Sequence, residues 1–229
     1  NFNEKLLRVH FANDTDFKLL SVNHIKSQNW NNIWESSFEP VYISDRCCIR
    51  APFHDNVQLC EFDIIINPKM SFGTGHHATT FLMIKNILLF DLKNKSVLDV
   101  GAGTAVLAIL ASKKSASRIV ALDIESNAYS NSLENIYINT CSGIDVFQKS
   151  ISDYYNNQKF DFVFANINRN VILEEIDYYV KVLKRGGLLI LSGFLKSDFQ
   201  DIHMSVSSFK LKLQSQTNQQ DWQCVVYIK

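Results

Sequence analysis

From residue 77 to the C-terminus, short runs that are apolar nearly throughout alternate with longer stretches of helical periodicity. Examples are SVLDV (96–100), RIVALD (118–123) and FDFVFAN (160–166). A strand without a polar face is covered on both sides, which requires a mostly parallel sheet between two layers of helices. The spacing predicts helices over 77–90, 104–113, 126–139, 170–184 and 197–208, and strands over 96–100, 118–123, 144–148, 160–166 and 187–194. A final pair near 209–217 and 222–228, separated by the polar TNQQD, reads as an antiparallel hairpin closing the sheet edge. The fold class is therefore α/β, with helices on both faces of the sheet.

Upstream the pattern is weaker. Residues 1–28 hold short alternating pieces, EKLLRVHFA and DFKLLSV, too few to enclose a core, and they read as the remnant of an N-terminal domain. Residues 29–67 run from a short helix in NWNNIWESSFEP, ended by Pro40, through the strand signals VYI, CCIRA and EFDIIINP. They form a linker and a β-rich lead into a main domain over 68–229. The chain opens at Asn1 rather than at methionine, so it is expected to be a truncated form of a longer protein.

Lys plus Arg and Asp plus Glu each number 23, so no overall positive field draws the chain to nucleic acid or anionic lipid. The five cysteines contain no CxxC pair, and Cys47 and Cys48 are adjacent, which disfavours both a disulfide framework and a zinc knuckle. Reduced thiols and a cytoplasmic location are expected. The longest apolar run, FLMIKNILLF, is interrupted by Lys85, and no secretory signal opens the chain, so no membrane association is expected. A monomer is the expected state.

The segment VLDVGAGTAVLAI (97–109) leads a buried strand through a glycine turn into an apolar helix. A dinucleotide fingerprint, GxGxxG, would need a glycine where Val106 stands, and no GxxxxGK[ST] occurs, so a phosphate-bearing ligand is disfavoured at this turn. Gly101 and Gly103 let the backbone approach a ligand, and Asp123 at the end of RIVALD is placed to accept the two hydroxyls of a ribose. An adenosyl group with an uncharged linkage fits. The plainer alternative is a tight turn with Asp123 capping the next helix.

The loop FGTGHHATT (72–80) sets glycines, histidines and hydroxyls just before a helix. Phe72, Thr74, His76 and His77 are candidate substrate contacts. Thr79 and Thr80 either satisfy amides of the first helical turn or bind the amino-acid end of a cofactor. A metal site is disfavoured, because neighbouring histidines at a helix start point in different directions and no carboxylate cluster accompanies them.

The strand FDFVFAN ends in Asn166 at the sheet edge where open α/β folds bind ligands. An amide can orient a neutral amine without trapping it as ammonium, as a carboxylate would. Asn166 is therefore the candidate catalytic residue, with helix capping left to Asn168 or Asn170.

Together NPKMSFGTGHHATT, VLDVGAGTAVLAIL, ALDI, FVFANINRN, GGLLILSGF and DWQCVVYIK resemble the ribosomal protein L11 methyltransferases, the PrmA family, in the same order and at similar spacing over about residues 29–229. The resemblance implies a class I methyltransferase with a seven-stranded, Rossmann-like sheet that uses S-adenosyl-L-methionine. It places Thr80, Gly101, Asp123 and Asn166 on cofactor-binding positions, with Ser150 and Ile151 bordering the adenine. It also implies that residues 1–28 are what remains of a substrate-recognition domain, and that ribosomal protein L11 is the partner.

Three positions depart from the family pattern: Ala105 replaces a glycine, Ala102 a cysteine and His76 a threonine. A methyl at 105 is tolerable where φ is helical, and it is expected to narrow the pocket. The implied reaction is methyl transfer to lysine amines and an N-terminal amine, with no dedicated base. Other readings are a methyltransferase for another protein or nucleic-acid amine or amide, which ANINR disfavours for want of the prolines and aromatic of [ND]PP[YFW], and a weakly catalytic cofactor-binding module. A nicotinamide oxidoreductase is least favoured because of Val106.

Overall fold

The doubly apolar strands lie where the pattern places them. A computed structural model of the chain describes residues 39–229 apart from 56, 57, 59 and 70. The expectations for residues 1–28 and for the helix before Pro40 lie outside the described residues, except for Glu39.

Seven strands form one sheet: β4 (Ser96–Val100), β5 (Arg118–Asp123), β6 (Ile144–Gln148), β7 (Phe160–Asn166), β8 (Leu183–Leu195), β9 (Lys212–Gln219) and β10 (Trp222–Ile228). Their spatial order is β6-β5-β4-β7-β8-β10-β9. The first five are parallel, whereas β10 runs antiparallel to both β8 and β9, as the TNQQD hairpin predicts. The chain winds outward from β4 through β5 to β6, then crosses back to place β7 on the other side of β4. Such a reversal opens a crevice at the carboxyl ends of the central strands.

Two buried clusters explain why the strands carry no polar face. Val97, Ile119, Ala121, Phe162 and Phe164 belong to one cluster, and Leu98, Val120, Leu122, Val163 and Ala165 to the other. The first contains residues of α1 (Ala78–Ile87), α2 (Val106–Lys113) and α3 (Ser126–Ile138); the second contains residues of α4 (Ile151–Tyr154), α5 (Arg169–Val182) and α6 (Phe199–Ser208). Alternate residues of a strand point to opposite faces, so each strand feeds both cores.

Residues 41–65 form a separate three-stranded sheet of β1 (Val41–Ile43), β2 (Cys47–Arg50) and β3 (Phe62–Ile65). Its turn residues Ser44 and Asp45 both have positive φ, which suits a tight hairpin. Ile43, Cys47, Ile49, Phe62 and Ile64 pack into the same core as α1 and α2. Arg50 donates two bonds of 2.9 Å to the carboxylate of Asp63 on the neighbouring strand.

A row of side chains on α3 and its C-cap, Asn139, ties β3 to the glycine turn. Asn139 accepts from Ile65 N (2.9 Å) and donates to Ile65 O (2.6 Å); Asn135 accepts from Asn67 N (2.8 Å) and donates to Thr104 O (3.0 Å). Ser132 Oγ donates to Gly103 O at 2.8 Å. These bonds satisfy backbone groups that no neighbouring strand reaches.

Some boundaries differ from expectation. β8 starts directly after α5, at Leu183, and its register with β7 slips between Phe160 and Phe162, next to Gly186 at φ +73°. The predicted helix over 197–208 is preceded by a 3₁₀ turn, Lys196–Asp198, and the four-residue α4 was not anticipated. Four residues are too few to show a helical period.

Candidate active site

A cleft of about 560 Å³ lies at the carboxyl ends of β4, β5, β6 and β7, and its wall includes Gly101, Gly103, Asp123, Ser150 and Asn166. Its floor is the turn after β4. Gly101 (φ +68°) and Gly103 (φ +57°) are both left-handed, and a side chain on Gly103 would run into the carbonyl oxygen of Phe72. That carbonyl also accepts from Thr104 N at 2.9 Å, and Thr104 Oγ1 donates to Gly73 O at 2.7 Å. The two glycine loops, distant in sequence, are thus packed on one another.

Ala105 corrects two expectations. Its φ is +63°, left-handed rather than helical, so it holds a conformation that disfavours a Cβ by about 1–2 kcal/mol. Its methyl is fully buried in the core and is not part of the cleft wall, so the pocket is not narrowed.

Asp123 accepts from Gly103 N through Oδ2 (2.9 Å) and from Glu125 N through Oδ1 (3.0 Å). The carboxylate therefore braces both the glycine turn and its own turn; the next helix starts from Glu125 with no side-chain cap, so Asp123 does not cap it. Each oxygen can accept a further bond, and the group faces the cleft. Beneath it Asp99 is buried, and burial pushes its carboxyl up to about 8, with Asp123 raising it further and the bond from Ala108 N (3.1 Å) opposing. Asp99 is thus largely protonated at neutral pH and adds no second negative charge beside Asp123.

The histidine loop divides its residues. His77 caps α1, its Nδ1 accepting from Thr79 N at 3.3 Å and lying 2.8 Å from Thr79 Oγ1. Its ring meets Phe72 (5.1 Å) and Trp222 (4.7 Å) edge to face, and all three line one wall of the cleft. His76 points elsewhere, with Nε2 2.9 Å from Glu39 O and Nδ1 3.3 Å from Thr74 Oγ1. His76 and Thr74 are not part of the wall.

Asn166 ends β7 with Nδ2 donating to Thr80 Oγ1 at 3.3 Å, while its Oδ1 is buried without a partner. Thr80 is itself buried and off the cleft wall; Thr79 lines it instead. Asn168 caps α5, accepting from Val171 N at 3.2 Å, and it also lines the cleft beside Asn166. At the β6 end, Ser150 and Lys149 reach the cleft, whereas Ile151 packs into the core.

Sequence reasoning missed Trp222, Lys149, Val171 and Glu175 on the wall. Val171 and Glu175 carried one weak signal, their one-turn spacing on the helix that follows Asn166. Trp222 carried none, because the return of β10 beside β8 brings it there.

The sequence matches a family model described as ribosomal protein L11 methyltransferase (PrmA) over residues 4–229. The chain belongs to this family. It is 37% identical over 232 residues to the ribosomal protein L11 methyltransferase of Phocaeicola vulgatus, and 38% identical over 232 residues to that of Bacteroides fragilis. In both cases 99% of this chain and 82% of the relative are covered. A crystal structure of ribosomal protein L11 methylase from Lactobacillus delbrueckii subsp. bulgaricus superposes with a TM-score of 0.77 at 24% identity, covering 83% of this chain and 98% of that one. That likeness establishes the class I methyltransferase fold. Among the described residues, no helix is long and apolar enough to cross a membrane.

Proposed function

We propose that the chain transfers methyl groups from S-adenosyl-L-methionine, bound in this cleft, to lysine side chains and the N-terminal amine of ribosomal protein L11. Membership of the family supports the reaction, the methyl donor and the protein substrate. The observation that carries the site assignment is the buried, unpartnered Oδ1 of Asn166 on the cleft wall. A buried acceptor without a donor is costly, and it suits a ligand that brings an N–H.

The residues present fit an adenosyl sulfonium. Asp123 retains acceptor capacity for ribose hydroxyls, the glycine turn permits close backbone approach, and Ser150 borders the adenine end. S-adenosyl-L-methionine supplies, when bound, an electrophilic methyl whose leaving group is already activated. The chain's part is orientation. Thr80 fixes the amide of Asn166, so that Oδ1 can accept from the target amine. Phe72, His77 and Trp222 line the approach, while Thr74 and His76 shape the loop behind them.

His77 is an unsuitable base. Its Nδ1 already accepts from Thr79 N, which leaves the proton of neutral imidazole on Nε2, a donor. Water therefore removes the ammonium proton before attack. Methyl transfer should rise about tenfold per pH unit well below the lysine pKa of about 10.4, and a flat profile between about pH 6 and about pH 9 would contradict this route.

Residues 68–229 carry the transfer, and residues 1–28 contribute to substrate recognition. The work is placed in the cytoplasm, by a monomer. The test is the intact mass of unmethylated ribosomal protein L11 after incubation with the chain and S-adenosyl-L-methionine. Methyl increments at amines are expected; increments at another atom type, or cofactor binding without transfer even to the isolated amine-bearing peptides, would overturn the assignment.

A further inference from the structure

The cleft contains a carboxyl group that the transfer reaction does not use. Glu175, on α5, lines the wall together with Ser150, Ile124 and Val171. Its Oε2 accepts from Tyr179 O–H, one helical turn further on, at 2.7 Å, and Tyr179 is itself fully buried. A long glutamate side chain at a cleft mouth would ordinarily sample many rotamers; here the buried phenol pins one oxygen.

The fold decides which part of the cleft Glu175 faces. Ser150 and Lys149 follow β6, and Asp123 ends β5, the strand next to it. α4 begins directly after Ser150, and its Ile151 and Tyr154 pack in one core with Ile172, Ile176 and Tyr179 of α5. That packing brings the Val171–Glu175 side of α5 over the β6 side of the cleft, the side reached from the ribose acceptor Asp123. Ile124, 65% exposed despite its size, and Val171 add apolar surface there, which suits a flat heteroaromatic ring.

We propose that Glu175 is a specificity-determining residue that reads the purine edge of the cofactor, accepting from an exocyclic amine and so selecting adenine over a 6-oxo purine. This rests on the reading of the cleft as an adenosyl site. The chemistry is directional: a carboxylate oxygen accepts from the amine of adenine and repels the carbonyl oxygen of hypoxanthine. Tyr179 is the positioning residue, since it consumes one oxygen and leaves the other for the ligand.

The test is calorimetric binding of S-adenosylhomocysteine and its inosine counterpart, S-inosylhomocysteine, to the full chain, without turnover. The wild type should prefer the adenosine form by at least about tenfold, and Glu175→Gln, whose amide can donate or accept, should reduce that preference about tenfold. Tyr179→Phe, which frees the carboxyl without removing it, should reduce it about threefold; it also serves if Glu175→Gln fails to fold. An unchanged preference in a folded Glu175→Gln protein, or equal weakening of both ligands, would remove Glu175 from the purine edge while leaving the adenosyl reading intact. A wild type that binds neither ligand would overturn the adenosyl reading itself, and the assignment with it.

Discussion

Asp161 and Asn166 lie on the same strand, β7, one near its amino end and one at its carboxyl end, and their hydrogen bonding is opposite. Asp161 Oδ2 accepts from Ser96 N (2.8 Å), Ser96 Oγ (2.7 Å) and Lys184 Nζ (2.8 Å). Burial acts to raise its carboxyl, but Lys184 and Ser96 outweigh this and hold it at about 2. Asn166 keeps a single long bond, to Thr80, and a buried oxygen with none. One end of the sheet satisfies its polar groups internally, and the other leaves capacity for a ligand. Stability and function are thus separated along the strand direction, because the crossovers converge their loops at the carboxyl ends.

The largest effect that would break this contrast is at Asn166. Asn166→Ala should lower the single-turnover rate of methyl transfer by about 100-fold or more, the scale seen when one preorganised polar contact is lost from an active site. Its urea midpoint should stay at or slightly above that of the parent, since an unsatisfied buried oxygen is removed. A rate within about threefold of the parent would break the comparison.

Asp161→Asn should do the reverse. It is expected to destabilise the fold by about 1–3 kcal/mol in urea unfolding while leaving the rate constant for transfer unchanged. The pH dependence sharpens the point. A carboxyl lowered from 3.8 to about 2 contributes stability that is fully present above its unfolded pKa and is lost as pH falls through about 2. Asp161→Asn should therefore flatten the acid limb of the stability profile in that window, and an unaltered limb would assign acid sensitivity elsewhere.

The smallest effect is expected at Ala105. Replacing it with glycine relieves about 1–2 kcal/mol of left-handed strain, but it gives up about 0.8 kcal/mol of methyl burial and about 0.4–1 kcal/mol through a more flexible unfolded chain. The net change in unfolding free energy should lie within about 1 kcal/mol of zero, with cofactor affinity unaltered because the methyl faces the core. A several-fold change in affinity would show that the turn transmits strain to the cleft.

These contrasts also mark what could be read in advance. Strands over 96–100, 118–123, 144–148 and 160–166 were legible to the residue: burial on both faces leaves a compositional trace in the three inner ones, while the edge strand 144–148, only partly buried, alternates apolar and polar residues at its start. Gly101, Gly103, Asp123 and Asn166 were legible for a related reason: each terminates or follows a strand, so the strand assignment carries it to the cleft at the carboxyl edge of the sheet. The loop 72–80 was legible only as a set of candidates. Successive residues at a helix start diverge by about 100°, and the sequence could not show that Thr79 lines the cleft while Thr80 anchors Asn166 behind it, or that His77 faces in and His76 faces Glu39.

By itself, then, the sequence determined the alternation of elements, the parallel sheet, the glycine turn and the polar residues at the strand ends, since all of these follow from local period and local backbone requirements. Only the tertiary structure decided which distant residues share the cleft. Trp222 reaches His77 because β10 returns antiparallel beside β8; Glu175 and Ser150, on separate elements, line one cleft; Gly103 must lack a side chain because the Phe72 carbonyl lies over it. Such contacts depend on strand order and helix packing, and no window of neighbouring residues encodes them.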